Sequence, residues 1–217
     1  NGVIGTKNKL GIIPAGSGND FYRTIKELGK KEIKTDVGVI NGKYFLNIAC
    51  VGIDAEVANN VPLMKKKNIK VKNLYAASIL YTFTHFKFKE IFYKSKEIEE
   101  RNSFTILSIC NGRYYGGGYN IAPGASLEDG TFEVYYTNKQ KMLTIINLLL
   151  KLKKGKLEED KRIKHFKTNH IKVESKETIR FNVDGEKIEG TQFEIKIIPK
   201  AVTIYHNEKL EKSFLSV

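Results

Sequence analysis

The sequence predicts an α+β fold: a strand-rich, antiparallel, β-sandwich-like domain with helical insertions, preceded by the edge of an α/β domain. Three observations predict it. Short runs rich in β-branched and aromatic residues recur from residue 36 to residue 207, separated by turn residues. The strongest helical periods fall in two isolated segments, 71–86 and 140–155. Near the start, the apolar run LGII passes through the glycine turn PAGSGND into FYRTIKEL, the order of a strand–turn–helix unit.

In chain order, KLGII (9–13) reads as a short buried strand. Residues 19–28 follow as a helix, with Asn19 or Asp20 as N-cap and Phe21, Ile25 and Leu28 at helical spacing. Asn41-Gly42 separates two apolar runs and predicts a hairpin of strands 36–40 and 43–50. A short helix is expected from Asp54 to Asn60, ending near Pro62. After a basic loop comes the helix of 71–86, with Leu74, Ala77, Ser78 and Tyr81 along one side. Strands are expected at 89–95, 104–110 and 131–137, then the helix of 140–155, stopped by Gly155. The remainder alternates as strands 170–175, 178–185, 192–199 and 201–207. A lone opening strand cannot bury both faces, so the chain is expected to begin inside a domain. Three regions are anticipated: 1–36, 37–200, and a return segment, 201–217.

Composition bounds the partners. The chain has 217 residues, 41% hydrophobic and 28% charged, enough for a substantial core. MLTIINLLL (142–150) is too short to span a bilayer, and nothing resembles a secretory signal, so a cytoplasmic location is expected. Cys50 and Cys110 lie inside apolar runs and read as reduced core residues. The net charge of +13 favours a polyanionic partner: nucleic acid, an anionic membrane surface or a nucleotide. Lysines cluster at 65–67, 70–72 and 151–156, but no helix-turn-helix, zinc-finger or RNA-binding aromatic pattern accompanies them, which argues against nucleic acid.

Four glycine- or acid-rich turns could carry chemistry: PAGSGND (14–20), NGRYYGGGYNIAP (111–123), ASLEDGTF (125–132) and VDGEKIEG (183–190). Taken singly, each also reads as an ordinary turn. Gly16 and Gly18 would let backbone approach a phosphate at a helix N-terminus, and the Ser17 hydroxyl could donate to it. Asp20 would repel that phosphate unless a hard cation lay between them; its alternative role is a helix cap.

In their joint order these turns resemble the diacylglycerol kinase catalytic family, which includes soluble bacterial lipid kinases. The resemblance rests on LGIIPAGSGNDFYR, TDVGVINGKYFLNIACVGIDAEV, NGRYYGGGYNIAPGASLEDGTFEV and FNVDGE. It implies ATP and Mg2+ as cofactors and a lipid hydroxyl, diacylglycerol or similar, as acceptor. The first region would be the remnant of a nucleotide-binding domain and the second a lipid-binding domain. Gly16, Ser17, Gly18 and Asn19 would contact nucleotide, and Asp20 and Asp36 would hold magnesium through water. The carboxylate of Asp129 and the backbone carbonyls of Ser126 and Thr131 would form a second, structural magnesium turn, the alternative being a bare Asp-Gly turn. Glu186 would be the general base, where position alone suggests an exposed hairpin glutamate. The resemblance implies an apolar cleft for acyl chains, lined by the 71–86 helix with its Tyr75, Tyr81 and Phe83, the alternative being that these aromatics pack in the core. The lysine clusters would then dock the protein on an anionic membrane surface as peripheral partner.

The family's GGDGT loop is absent from this sequence. The expectation is therefore of a fragment without kinase activity of its own, whose uncovered apolar surface either favours association, as a homodimer, or leaves residues 1–35 poorly ordered. Two rival functions remain at this stage: an NAD kinase-like enzyme, and a non-catalytic lipid-binding or regulatory protein.

Overall fold

The computed structural model describes residues 2–15, 18–67 and 74–207. The elements run β1 (Lys9–Gly11), α1 (Asp20–Leu28), β2 (Glu32–Ile40), β3 (Lys43–Phe45), β4 (Ile48–Gly52), α2 (Ile53–Lys66), α3 (Leu74–His85), β5 (Glu90–Ser95) and β6 (Glu99–Cys110). They continue with β7 (Tyr114–Tyr115), β8 (Tyr119–Asn120), β9 (Phe132–Asn138), α4 (Met142–Lys153), β10 (Lys164–Thr168), β11 (His170–Val183) and β12 (Glu186–Tyr205).

Among the described residues, ten strands join one sheet in the path β10-β9-β6-β4-β11-β12-β2-β3, with β1 attached to β12 and β5 to both β11 and β6. All pairings are antiparallel except β1, which runs parallel to residues 203–205 of β12. The sheet folds over on itself. Phe45 of β3 stacks on Phe132 of β9 at 5.7 Å, although these strands lie near opposite ends of the path. One inner face therefore forms a single core: Ala49, Val51, Leu107, Ile109, Val134, Phe181 and Ile195 all point into it. The strand alternation sends Ile48, Cys50, Cys110 and Tyr135 to the opposite face, where Leu148 and Leu152 of α4 cover them. Both cysteines are buried and unpaired. This is the strand-rich antiparallel α+β architecture expected from the sequence.

The registers contain an unusual arrangement. β4 pairs with residues 106–110 of β6 and 181–183 of β11; β5 pairs with 99–103 of β6 and 171–174 of β11. The two strands thus run in one direction along one lane, end to end, and the α2–α3 pair leaves the sheet between them. Gly52 closes the first half of the lane. Its φ of 125° suits glycine, and a Cβ there would lie 2.4 Å from the Thr105 carbonyl.

Several element ends differ from expectation. Residues 43–50 split into β3 and β4, because the backbone N–H groups of 46–48 turn to a carboxylate described below. α2 runs through Pro62 to Lys66 instead of stopping near it. Packing on α3 outweighs the missing proline donor: Ser78 donates its hydroxyl to the Val57 carbonyl, and Asn60 donates to Thr82 at 3.0 Å. The four short strands expected after 170 are two long ones, with irregularities between Glu174 and Ile179 and between Ile198 and Val202. The boundaries anticipated at 36 and 200 fall inside β2 and β12.

A buried acid starts α2. Asp54 is 7% exposed, accepts the Ser108 hydroxyl at 2.8 Å and its neighbour Ala55's N–H at 2.9 Å, and burial raises its pKa to about 6. The folded chain therefore holds a proton here between about pH 4 and 6 that the unfolded chain has lost. This contribution to stability is full below the unfolded value and disappears as pH rises through about 6. Asp54→Asn should raise stability at pH 8 by on the order of 2–3 kcal/mol and have little effect near pH 4. Urea melts at the two pH values test this, and equal destabilisation at both would contradict it.

Candidate active site

The site is built on hairpin chemistry. Asp184 and Gly185 link β11 to β12 with φ of 47° and 91°, the paired positive values of a type I′ turn. That geometry leaves the Asp184 carboxylate pointing at the bend between β3 and β4. Its Oδ2 accepts the N–H of Leu46 at 2.7 Å, and Oδ1 accepts those of Ile48 at 2.8 Å and Asn47 at 3.2 Å. The Asp184 N–H returns to the Ile48 carbonyl at 3.1 Å. Glu186, two residues on, is exposed at the start of β12. It lines a cavity of about 240 Å³ with Asp184, Lys43 and Tyr44.

From the same bend, Asn47 holds the glycine-rich loop. Its carbonyl accepts the N–H groups of Asn111 and Gly112, both at 2.9 Å, and its Nδ2 donates to the Tyr114 carbonyl at 2.9 Å. Asn111, fully buried, donates from Nδ2 to the carbonyls of Leu46 at 2.7 Å and Asp36 at 3.0 Å. The loop then reaches α1. Thr24 accepts the Arg113 N–H at 3.0 Å, and Glu27 pairs with the Arg113 guanidinium at 3.2 Å and takes the Tyr114 hydroxyl. Gly116, Gly117 and Gly118 all have positive φ, and the Gly117 N–H donates to Asp20 Oδ2 at 3.0 Å. Asp20 and the Asp184–Glu186 turn thus belong to one hydrogen-bonded unit, although 164 residues separate Asp20 from Asp184.

The proposed magnesium residues divide. Asp20 Oδ1 is buried and has no hydrogen-bond partner among the described residues, so it suits a cation or a cation-bound water. Asp36 is fully buried, and each of its oxygens already accepts a backbone N–H, from Gly130 at 2.7 Å and Lys200 at 2.7 Å. Burial raises its pKa, with these two bonds acting in the opposite direction. Asp36 therefore ties the 126–131 turn and β12 to β2. In that turn the Ser126 hydroxyl accepts the Glu128 N–H at 3.3 Å, and Asp129 accepts the Thr131 N–H at 3.1 Å. Lys167 Nζ lies 3.5 Å from Asp129 Oδ2, a charge that competes with a metal there. Thr131 Oγ1 is buried without a partner among the described residues. Among the described residues, no three Asp, Glu, His or Cys side chains converge as a metal cluster. Gly16 and Ser17 lie outside the described residues; Gly18 sits beside Asp20, and Asn19, at φ 51°, donates to the Pro14 carbonyl at 3.1 Å.

A second cavity, about 260 Å³, opens where the lane between β6 and β11 is interrupted. Val51, Ile91, Phe104 and Ile179 line it from the sheet, and Tyr81 and Phe86 from α3 and the residue just beyond it, while Glu56, Asn60, His85, Lys87, Lys89 and Arg180 give it a polar, charged rim. Phe83 packs elsewhere, against Ile53, Ile106 and Ile145. The Tyr75 side chain lies outside the described residues.

Residues 47–206 match the family model described as the YegS C-terminal NAD kinase beta sandwich-like domain. The chain belongs to this family. A diacylglycerol kinase of Bacillus subtilis is 28% identical to the YegS-like chain over 201 residues, which is 86% of the chain and 66% of the relative. A protein of Alcanivorax borkumensis named Probable lipid kinase YegS-like is 26% identical over 209 residues, 91% of the chain and 69% of the relative. The chain spans about two thirds of the length of such relatives. A Bacillus anthracis protein solved as a candidate diacylglycerol kinase superposes with a TM-score of 0.70 at 23% identity, covering 93% of this chain and 69% of that one, which establishes the shared fold.

Sequence reasoning named Glu186 but treated Asp184 as a turn residue and passed over Asn47. The signal was present, since both lie inside motifs that were singled out, but their polar partners are backbone groups far along the chain. Asp184→Ala should leave three N–H groups without an acceptor and cost about 2–4 kcal/mol. Chemical denaturation measures the loss, and Asp184→Asn, which keeps one oxygen, should recover part of it.

Proposed function

We propose that this YegS-like domain belongs to an ATP-dependent lipid kinase that phosphorylates a hydroxyl of diacylglycerol or a similar lipid. The observation that carries the reading is the single hydrogen-bonded unit joining Asp20, the glycine-rich loop and the Asp184–Glu186 turn. Phosphoryl transfer asks for positioned phosphates, a divalent cation and a base for the attacking hydroxyl. A bound magnesium would supply charge neutralisation at the phosphates, held through water by Asp20. Asp36 and the 126–131 turn would act by positioning backbone. Glu186 would accept the lipid hydroxyl's proton, being exposed and at the cavity it shares with Lys43. The names of the relatives support the kinase class, and the cavity under α3, apolar at the sheet and charged around Lys87, Lys89 and Arg180, would suit an amphiphilic acceptor.

Glu186→Gln in the full-length gene product should lower kcat for lipid phosphorylation by about 10²–10⁴-fold with little change in lipid KM, since a base acts in the transition state. Because Glu186 is exposed, the melting temperature should stay within error of the parent. Undiminished turnover would remove Glu186 from the role, whereas a parent protein that phosphorylates no lipid would favour the non-catalytic reading.

A further inference from the structure

α4 has two apolar faces. Ile145, Leu148 and Leu152 point inward and are at most 5% exposed. On the other side, Leu143 is 82% exposed, Leu150 56%, and Met142 and Ile146 40% each. Leu143, Ile146 and Leu150 follow i, i+3, i+7 spacing and form one outward ridge. An outward row of leucine and isoleucine on a helix signals a partner.

Charge identifies that partner. Residues 139–156 contain lysines at 139, 141, 151, 153, 154 and 156 and no acidic residue. Lys151 is paired with Asp160 at 2.8 Å and Lys156 lies 3.7 Å from Glu159, while Lys141, Lys153 and Lys154 are exposed. At 100° per residue, Lys153 and Lys154 fall on either side of the ridge at its C-terminal end. A second copy of the chain fits poorly: both helix ends are basic, so pairing α4 on α4 in either direction brings lysine against lysine. An apolar ridge bordered by lysines, on a helix too short to cross a bilayer, matches an anionic lipid surface.

We propose that α4 docks the protein on an anionic bilayer, with Leu143, Ile146 and Leu150 entering the acyl boundary and Lys141, Lys153 and Lys154 meeting lipid phosphates. The position of the helix gives this a use. Ile145 of α4 belongs to the cluster against which Phe83, Phe86 and Phe88 pack, and Phe86 lines the cavity beneath α3. Lys139 sits over the Phe88 ring at 5.1 Å. Docking through α4 would therefore set that cavity beside the membrane, where a lipid acceptor is drawn from; this last step rests on the lipid kinase reading, whereas the docking itself does not.

The test is co-sedimentation of the chain with vesicles of phosphatidylcholine alone and of phosphatidylcholine with ~30% phosphatidylglycerol. Binding should favour the anionic vesicles by about tenfold or more and weaken with salt. The triple variant Leu143→Ser, Ile146→Ser, Leu150→Ser should lose at least about tenfold in binding, and the double variant Lys153→Gln, Lys154→Gln a similar factor. All substitutions are at exposed positions, so circular dichroism and melting temperature should be unchanged. Equal binding to both vesicle types, or a triple variant that binds like the parent, would overturn the proposal. A dimer by light scattering that the triple variant dissolves, with vesicle binding unaltered, would overturn it in favour of self-association. In the full-length gene product, activity on a soluble short-chain alcohol should survive the triple variant; its absence in the full-length parent would count against the kinase reading and leave the docking result standing.

Discussion

One carboxylate organises the rest. Asp184 gathers the N–H groups of Leu46, Asn47 and Ile48 to the tip of the β11–β12 hairpin. Without an acceptor these three donors would carry an unmet desolvation cost at a bend where neither β3 nor β4 can use them. The bond set fixes the bend, the bend aims Asn47, and Asn47 holds the loop that reaches α1 and Asp20. A carboxylate in a two-residue turn thereby sets the relative position of pieces drawn from the beginning, middle and end of the chain.

The same logic recurs at Asp36, whose two oxygens hold Gly130 and Lys200. Both acids neutralise clusters of backbone donors where strands change direction, and both lie in motifs that resemble those of a kinase family. An acid in such a motif can thus serve the chemistry indirectly. It shapes the backbone that carries Glu186 or the 126–131 turn, and a side chain that grips two or three amides is poorly placed to move with a reacting group.

Much of the fold was legible in the sequence because its signals are local. Asn41-Gly42 and Asp184-Gly185 mark their hairpins through the positive φ both turns need, and the period of 140–155 marks α4. The failures have a common origin in tertiary contacts. Pro62 argued for a helix end, but Ser78 and Thr82 on α3 hold α2 past it. The polar stretch at 175–178 and Pro199 argued for strand ends, but irregularities absorb them inside β11 and β12. At the candidate site, residue type marked Asp20, and only the family resemblance marked Glu186. What joins them runs through the main chain of Asn47, Tyr114 and Gly117, which no side-chain pattern records.

The shared lane of β4 and β5 carries a consequence for how such a protein can diversify. Because the two strands lie in line, the 37 residues from Ile53 to Lys89 enter and leave the sheet at neighbouring points. Helices in that interval can be lengthened, shortened or recomposed while every pairing of the surrounding strands is kept. The cavity under α3 is walled on one side by this inserted segment and on the other by the sheet. Changes within the insertion can therefore reshape the cavity while the strands that hold the acidic groups keep their pairings.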